Sequence, residues 1–229
     1  MASTFLCSTK IYSVLHHHTP GNSPGGRRLQ IASSRISSSR IRGSSASGNV
    51  ESHEVVTDDL LRLIQGEERG LRTQKDAVKR AQIIKAIDAL GEVGRESTTT
   101  DSSLTSTWRM LWTTEKEQLF IIKNAHLFGT EAGDIFQVID VSKGMLNNII
   151  TFPPTGAFVV NSTLEVVSKQ RVNFRFISAA LKVGRRRFPI PPYGQGWFES
   201  VYMDEKIRVA KDIRGDYLVV CRDPSSFEA

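Results

Sequence analysis

Apolar residues recur at helical spacing in the first part of the chain and at strand spacing in the rest. Between Val55 and Gly91 they return every three or four positions. In "VTDDLLRLIQGEERG" the stripe is Leu60, Leu61 and Ile64, with Thr57 as expected N-cap and Gly66 and Gly70 as punctuation. In "TQKDAVKRAQIIKAIDALGEVG" it is Val78, Ala81, Ile84 with Ile83, Ile87 and Leu90. Thr73 and Asp76 resemble a capping box ahead of it, and Gly91 closes it. Two amphipathic helices, a hairpin over 51–95, therefore have an apolar face to bury.

A polar linker, 96–103, follows, and the period then falls to two. "LTSTWRMLWT" reads as a strand with Trp108, Met110 and Trp112 on one face. Further short runs are "QLFIIK", "DIFQVIDV", "MLNNIITF", "GAFVVNSTLEVVS", "RVNFRFISAALKV", "GWFESVYMD", "KIRVAK" and "YLVVCRD". Alternation is clearest in "RVNFRFI", where Val172, Phe174 and Phe176 share a face. Turns at "SKG", "MDEK" and "IRGD" suit antiparallel hairpins, and Gly215 supplies a positive φ in the last. No βαβ spacing appears. The expected fold class is α+β: an N-terminal helical hairpin and, over 104–229, an antiparallel up-and-down β-barrel of about eight strands. Closure removes the edges of such a meander.

Charge is unevenly distributed. Residues 1–50 carry twelve serines, six basic residues and no acid. The remaining chain holds 24 basic and 24 acidic residues. The pI of about 9.5 thus belongs to the leader, and the body has no global reason to bind nucleic acid. A Ser-rich, Arg-bearing, acid-free start has the composition of a transit peptide, removed on import, and its "MAS" opening favours the chloroplast. No run is long and apolar enough for a membrane-spanning helix. Without the leader only Cys221 remains, so no intramolecular disulfide is expected.

Chemistry-bearing motifs are sparse. No metal-ligand spacing, nucleophile elbow or phosphate loop is present. Asp204, Glu205 and Asp212 are carboxylates near the expected rim, but no histidine or activated nucleophile accompanies them. The chain reads as neither an enzyme nor a cofactor carrier. Met110, Trp112, Phe136, Phe158, Phe174, Phe176 and Trp197 are, with Trp108, candidate lumen residues. Alternation fits equally a hollow barrel that takes an apolar lipid and a solid one serving as an interaction scaffold. "RRRFPIPPYGQG" puts Arg185, Arg186 and Arg187 before Phe188 and Tyr193. It is either a loop meeting anionic lipid headgroups or a solvated loop held extended by its prolines.

The segments "LLRLIQGEERGL", "LTSTWRMLWTT" and "GWFESVYMDEKIRVAKDIRGDYLVVCR" resemble the plastid lipid-associated proteins, also called plastoglobulins or fibrillins. In that family a small-x-Trp strand opens the barrel, matched by Thr107 to Thr114, and a Tyr-Leu/Met-Asp segment leads into the final hairpin, matched by Tyr202 to Val209. Lys211-Asp212 departs from the family's usual Arg-Gly, and "RRRFPIPPYGQG" looks like an insert. The resemblance implies a lipocalin-like barrel in chloroplasts, associated with thylakoids or plastoglobules. It implies binding or organisation of apolar lipids or prenyl compounds, contact with plastid membranes, a role in photoprotection and stress tolerance, and room for a plastid protein partner such as an enzyme or photosynthetic complex. It also implies that Trp108 closes one end of the barrel beneath a guanidinium from Arg208 or Arg222.

Overall fold

The computed structural model describes residues 47–128, 130–191 and 194–224. Most of the leader, 1–46, lies outside them, as does Tyr193. Helix α1 (Ser47–Ile64) starts four residues before the expected boundary at 51 and runs through Thr57, which is buried mid-helix rather than capping it. A short 3-10 turn (Glu68–Gly70) leads to α2 (Ala77–Gly94). The α2 cap is Asp76, whose side chain accepts from the Lys79 N–H. Thr73 serves elsewhere: its hydroxyl donates to the Gly70 carbonyl.

Nine strands follow among the described residues: β1 (Ser106–Thr113), β2 (Ile135–Asp140), β3 (Met145–Phe152), β4 (Gly156–Val166), β5 (Arg171–Val183), β6 (Arg186–Ile190), β7 (Gln195–Met203), β8 (Ile207–Asp212) and β9 (Tyr217–Asp223). All pair antiparallel, in the order β4-β3-β2-β1-β9-β8-β7-β5-β6, and β4 also pairs with β5. That last pairing curls the sheet into a ring. The α+β class stands. Two sequence expectations change. "QLFIIK" is not a strand but part of helix α3 (Lys116–Asn124) between β1 and β2. Its apolar run buries Leu119 and Ile122, three apart on one helical face. The expected arginine-proline loop is instead partly strand: Arg186–Ile190 pairs with Ala179–Val183 at the free edge of β5. Pro189 is tolerated on an edge strand, where no further neighbour needs its N–H.

The sheet buries both faces. Inside the ring pack Leu104, Trp108, Met110, Ile139, Leu146, Leu164 and Val172. Outside it, Leu60 and Ile64 of α1 and Ile83, Ile87 and Leu90 of α2 cover Trp112, Tyr202, Ile207, Val209 and Val219. The buried face of α2 is thus set by Ile83 rather than Ile84, and Val78 is exposed. Close approach requires glycine at Gly94: a Cβ there would lie 2.3 Å from the Val201 carbonyl oxygen.

Candidate functional site

The ring has a closed end and an open one. Trp108 fills the closed end, fully buried, with its indole N–H donating to the Leu104 carbonyl at 3.0 Å. Both arginines named as alternatives flank it. The Arg222 guanidinium stands 4.4 Å from the ring centroid and donates to the carbonyls of Glu205 and Ser103. Arg208 lies 5.2 Å from Trp108 and equally far from Phe198. Its side chain is completely buried. Its terminal nitrogens donate to two neutral acceptors, the Ser200 hydroxyl and Gln137 Oε1, while its Nε has no hydrogen-bond partner. Burial, and then the neighbouring charge of Arg222, push Arg208 down to about 9. It still carries its charge at neutral pH, and the aromatic faces and Gln137 stabilise it there.

Above this end lies a cavity of about 170 Å3. Its apolar wall includes Ile135, Leu146, Ile150, Phe158, Val160, Phe174, Phe176, Phe198 and Leu218. Phe174 stacks on Phe176 with centroids 5.5 Å apart and meets Phe198 at 6.4 Å. Gln137 and Asn148 are the polar groups in the wall, joined by a 3.1 Å hydrogen bond.

Helix α3 lies across the mouth, bringing Glu115, Glu117, Gln118 and Ile121 to the cavity. The β8–β9 turn brings Asp212 and Asp216, and Arg214 sits among the four carboxylates. Its guanidinium lies 2.7 Å from Glu117 and 3.1 Å from Asp212. The Glu115 carboxyl is pushed up to about 8, first by burial and then by the negative charge of Asp212, against the pull of Arg214 and a hydrogen bond from Gln118. At neutral pH it is mostly protonated.

Of the eight residues expected in the lumen, Phe158, Phe174 and Phe176 line the cavity. Trp108 and Met110 point inward but are packed into the core below it. The other three face outward. A bulge between Met110 and Trp112 breaks the alternation and turns Trp112 against the helical hairpin. There its indole N–H donates to the Thr73 hydroxyl. Phe136 packs with Ile149 and Val159 in a separate cluster, because Ile135 and Gln137 take the inward positions. Trp197 lies under the Arg171 guanidinium at 4.0 Å, and its neighbour Phe198 faces the cavity. Phe198, Gln137, Asn148, Glu115, Glu117 and Gln118 were not singled out from the sequence. Arg185, Arg186, Arg187 and Phe188 are exposed at the β5–β6 hairpin, away from the cavity.

Among the described residues, an antiparallel sheet curled into a ring thus holds an aromatic-lined cavity with α3 across it. The comparisons with known proteins agree on the lineage. The PAP_fibrillin family model matches residues 54–221, and the chain belongs to that family. It is 64% identical over 165 residues to the probable plastid-lipid-associated protein 11, chloroplastic, of Arabidopsis thaliana, covering 72% of this chain and 78% of the relative. It is 24% identical over 192 residues to the Arabidopsis plastid-lipid-associated protein 6, chloroplastic, covering 70% and 67%. No solved structure matches.

Proposed function

We propose that the protein is a non-catalytic plastid lipid-associated protein that accepts part of an apolar lipid or prenyl compound in a lipocalin-like lumen at thylakoids or plastoglobules. The observation that carries this is the cavity itself, walled by Phe158, Phe174, Phe176 and Phe198. Its volume is of the order that admits one ring or a short stretch of chain, so the rest of a larger lipid extends through the mouth. Burial of that apolar segment supplies the affinity. The exposed hairpin bearing Arg185, Arg186, Arg187 and Phe188 is the proposed contact with anionic headgroups. The chloroplast address rests on the acid-free leader and on the names of the relatives. Support of photoprotection and stress tolerance is the expected physiological consequence.

The test is mass spectrometry of organic extracts from the purified protein after incubation with total plastid lipids. One dominant lipid near one per chain, lost in a folded Phe174→Ala variant, supports a carrier. Traces equal to those of an unrelated control protein would sink it and leave the interaction scaffold, for which the helical hairpin is the bait.

A further inference from the structure

Resting on the lipid-carrier reading, we propose that the open end of the ring docks on an anionic lipid bilayer, with the β5–β6 hairpin leading, and that the cavity loads from that bilayer directly rather than through water. The strand register supports this. Ile150 stands opposite Phe158, Phe158 opposite Leu181, and Leu181 opposite Phe188. Residues directly opposite one another across a sheet share a face. Ile150 and Phe158 line the cavity, Leu181 packs against the inner core, and Phe188 is exposed. The next row repeats the pattern: Val160 and Ala179 line the cavity and stand in register with Ile190. The hairpin stands outside the cavity, yet its inner face continues the cavity wall. An amphiphile that slides along Phe188 and Leu181 reaches Phe158 without leaving apolar surface.

The same end exposes large apolar side chains and positive charge. Phe120 of α3, Val183 and Phe188 of the hairpin, and Ile213 of the β8–β9 turn are 48–53% exposed. Lys182, Arg185, Arg186 and Arg187 stand at the hairpin tip. The chain carries no acid from Arg171 to Phe198, nor from Thr151 to Leu164 in the adjoining β3–β4 hairpin. The two turns are tied together by the Gly184 N–H, which donates to the Thr155 carbonyl at 3.1 Å. The carboxyl groups of the mouth, Glu115, Glu117, Asp212 and Asp216, are drawn in around Arg214, with side chains only 13–24% exposed. Apolar side chains set singly on a helix, a hairpin and a turn, around the opening of an apolar cavity, suit a fluid surface rather than a complementary protein face. The arginines beside them suit anionic headgroups.

The experiment uses the full chain and vesicles of phosphatidylcholine with or without phosphatidylglycerol. An indole is placed at the tip by Phe188→Trp or on the exposed face of α2 by Val78→Trp. Brominated acyl chains quench it only where it enters the bilayer. F188W is expected to lose about half of its added emission on phosphatidylglycerol vesicles, and V78W almost none. Transfer of all-trans-retinol from the protein to vesicles is expected to quicken in proportion to vesicle concentration, and to run about tenfold faster with phosphatidylglycerol than without. The combined substitutions Arg185→Gln, Arg186→Gln and Arg187→Gln, or Phe188→Ser alone, are expected to slow transfer about tenfold, while affinity for 1-octanol in vesicle-free buffer stays within about twofold. No quenching at either position, or equal quenching at both, overturns the docking geometry and leaves a lipid carrier standing. A transfer rate independent of vesicle concentration overturns direct loading. Failure of both 1-octanol and retinol to bind overturns the carrier reading together with this one.

Discussion

The two ends of the ring solve opposite problems with the same kinds of residue. At the closed end two guanidinium groups meet aromatic faces and neutral oxygens, and Trp108 donates its only N–H to a backbone carbonyl. At the mouth four carboxyl groups crowd one guanidinium, and the buried oxygens Glu117 Oε2 and Gln118 Oε1 have no hydrogen-bond partner. The closed end is nearly complete in itself, although Arg208 Nε has no hydrogen-bond partner. Buried polar groups rigidify a fold when satisfied and cost stability when they are not. The first end therefore contributes to folding, and the second holds a cost in stability.

The sharpest way to break this contrast is to damage the closed end. Trp108→Ala removes a fully buried indole and strands Arg208 and Arg222 over a void. Loss of about 3–5 kcal/mol is expected, read from urea unfolding midpoints. A loss below about 1 kcal/mol would mean that the closed end is not where stability lies. The next effect belongs to the mouth. The Glu115 carboxyl stands near 8 in the fold against an ordinary 4.5. Between those values the native state holds a proton that the unfolded chain has released. Stability is accordingly highest below about pH 4.5, so far as this group is concerned, and declines as pH rises through about 8. Glu115→Gln is expected to flatten that slope and to gain up to a few kcal/mol at pH 9 relative to the native chain. Unfolding midpoints at pH 5, 7 and 9 decide it; parallel profiles for the two proteins would show that the Glu115 carboxyl ionises freely.

Much of the fold was legible where one signal acted alone. The alternation of Val172, Phe174 and Phe176 gave their shared face correctly, because nothing interrupts β5 before Phe176. The family resemblance implies one guanidinium over Trp108, from Arg208 or Arg222, and the structure brings both to its ring. The misreadings have local causes. One skipped pairing turns Trp112 outward, and a bulge has no period to detect. "QLFIIK" is too short for periodicity to separate helix from strand. The acidic mouth is the least visible in the sequence, although Asp212 is among its candidate carboxylates. Its groups come from the β1–α3 junction and the β8–β9 turn, and only closure of the ring brings them together. Asp204, from the same initial group, instead accepts the N–H groups of Lys206 and Ile207 and holds the β7–β8 turn.

The smallest effect tests whether the two tryptophans of β1 have separate duties. Trp112 sits between sheet and helices, with its N–H 3.2 Å from Thr73 Oγ1, and that hydroxyl donates in turn to the Gly70 carbonyl. Trp112→Phe keeps an aromatic ring in the outer cluster and deletes the donor. The Thr73 hydroxyl retains its own bond to Gly70, so the loss is one accepted hydrogen bond and some packing, about 1–2 kcal/mol in urea unfolding. Because Trp112 faces away from the cavity, the affinity for 1-octanol is expected to stay within about twofold, whereas Phe174→Ala, which opens the cavity wall itself, lowers it by about tenfold or more. Equal losses of affinity from the two substitutions would mean that docking of the helical hairpin shapes the cavity through the sheet, and that the inner and outer faces of the ring act as one packed unit.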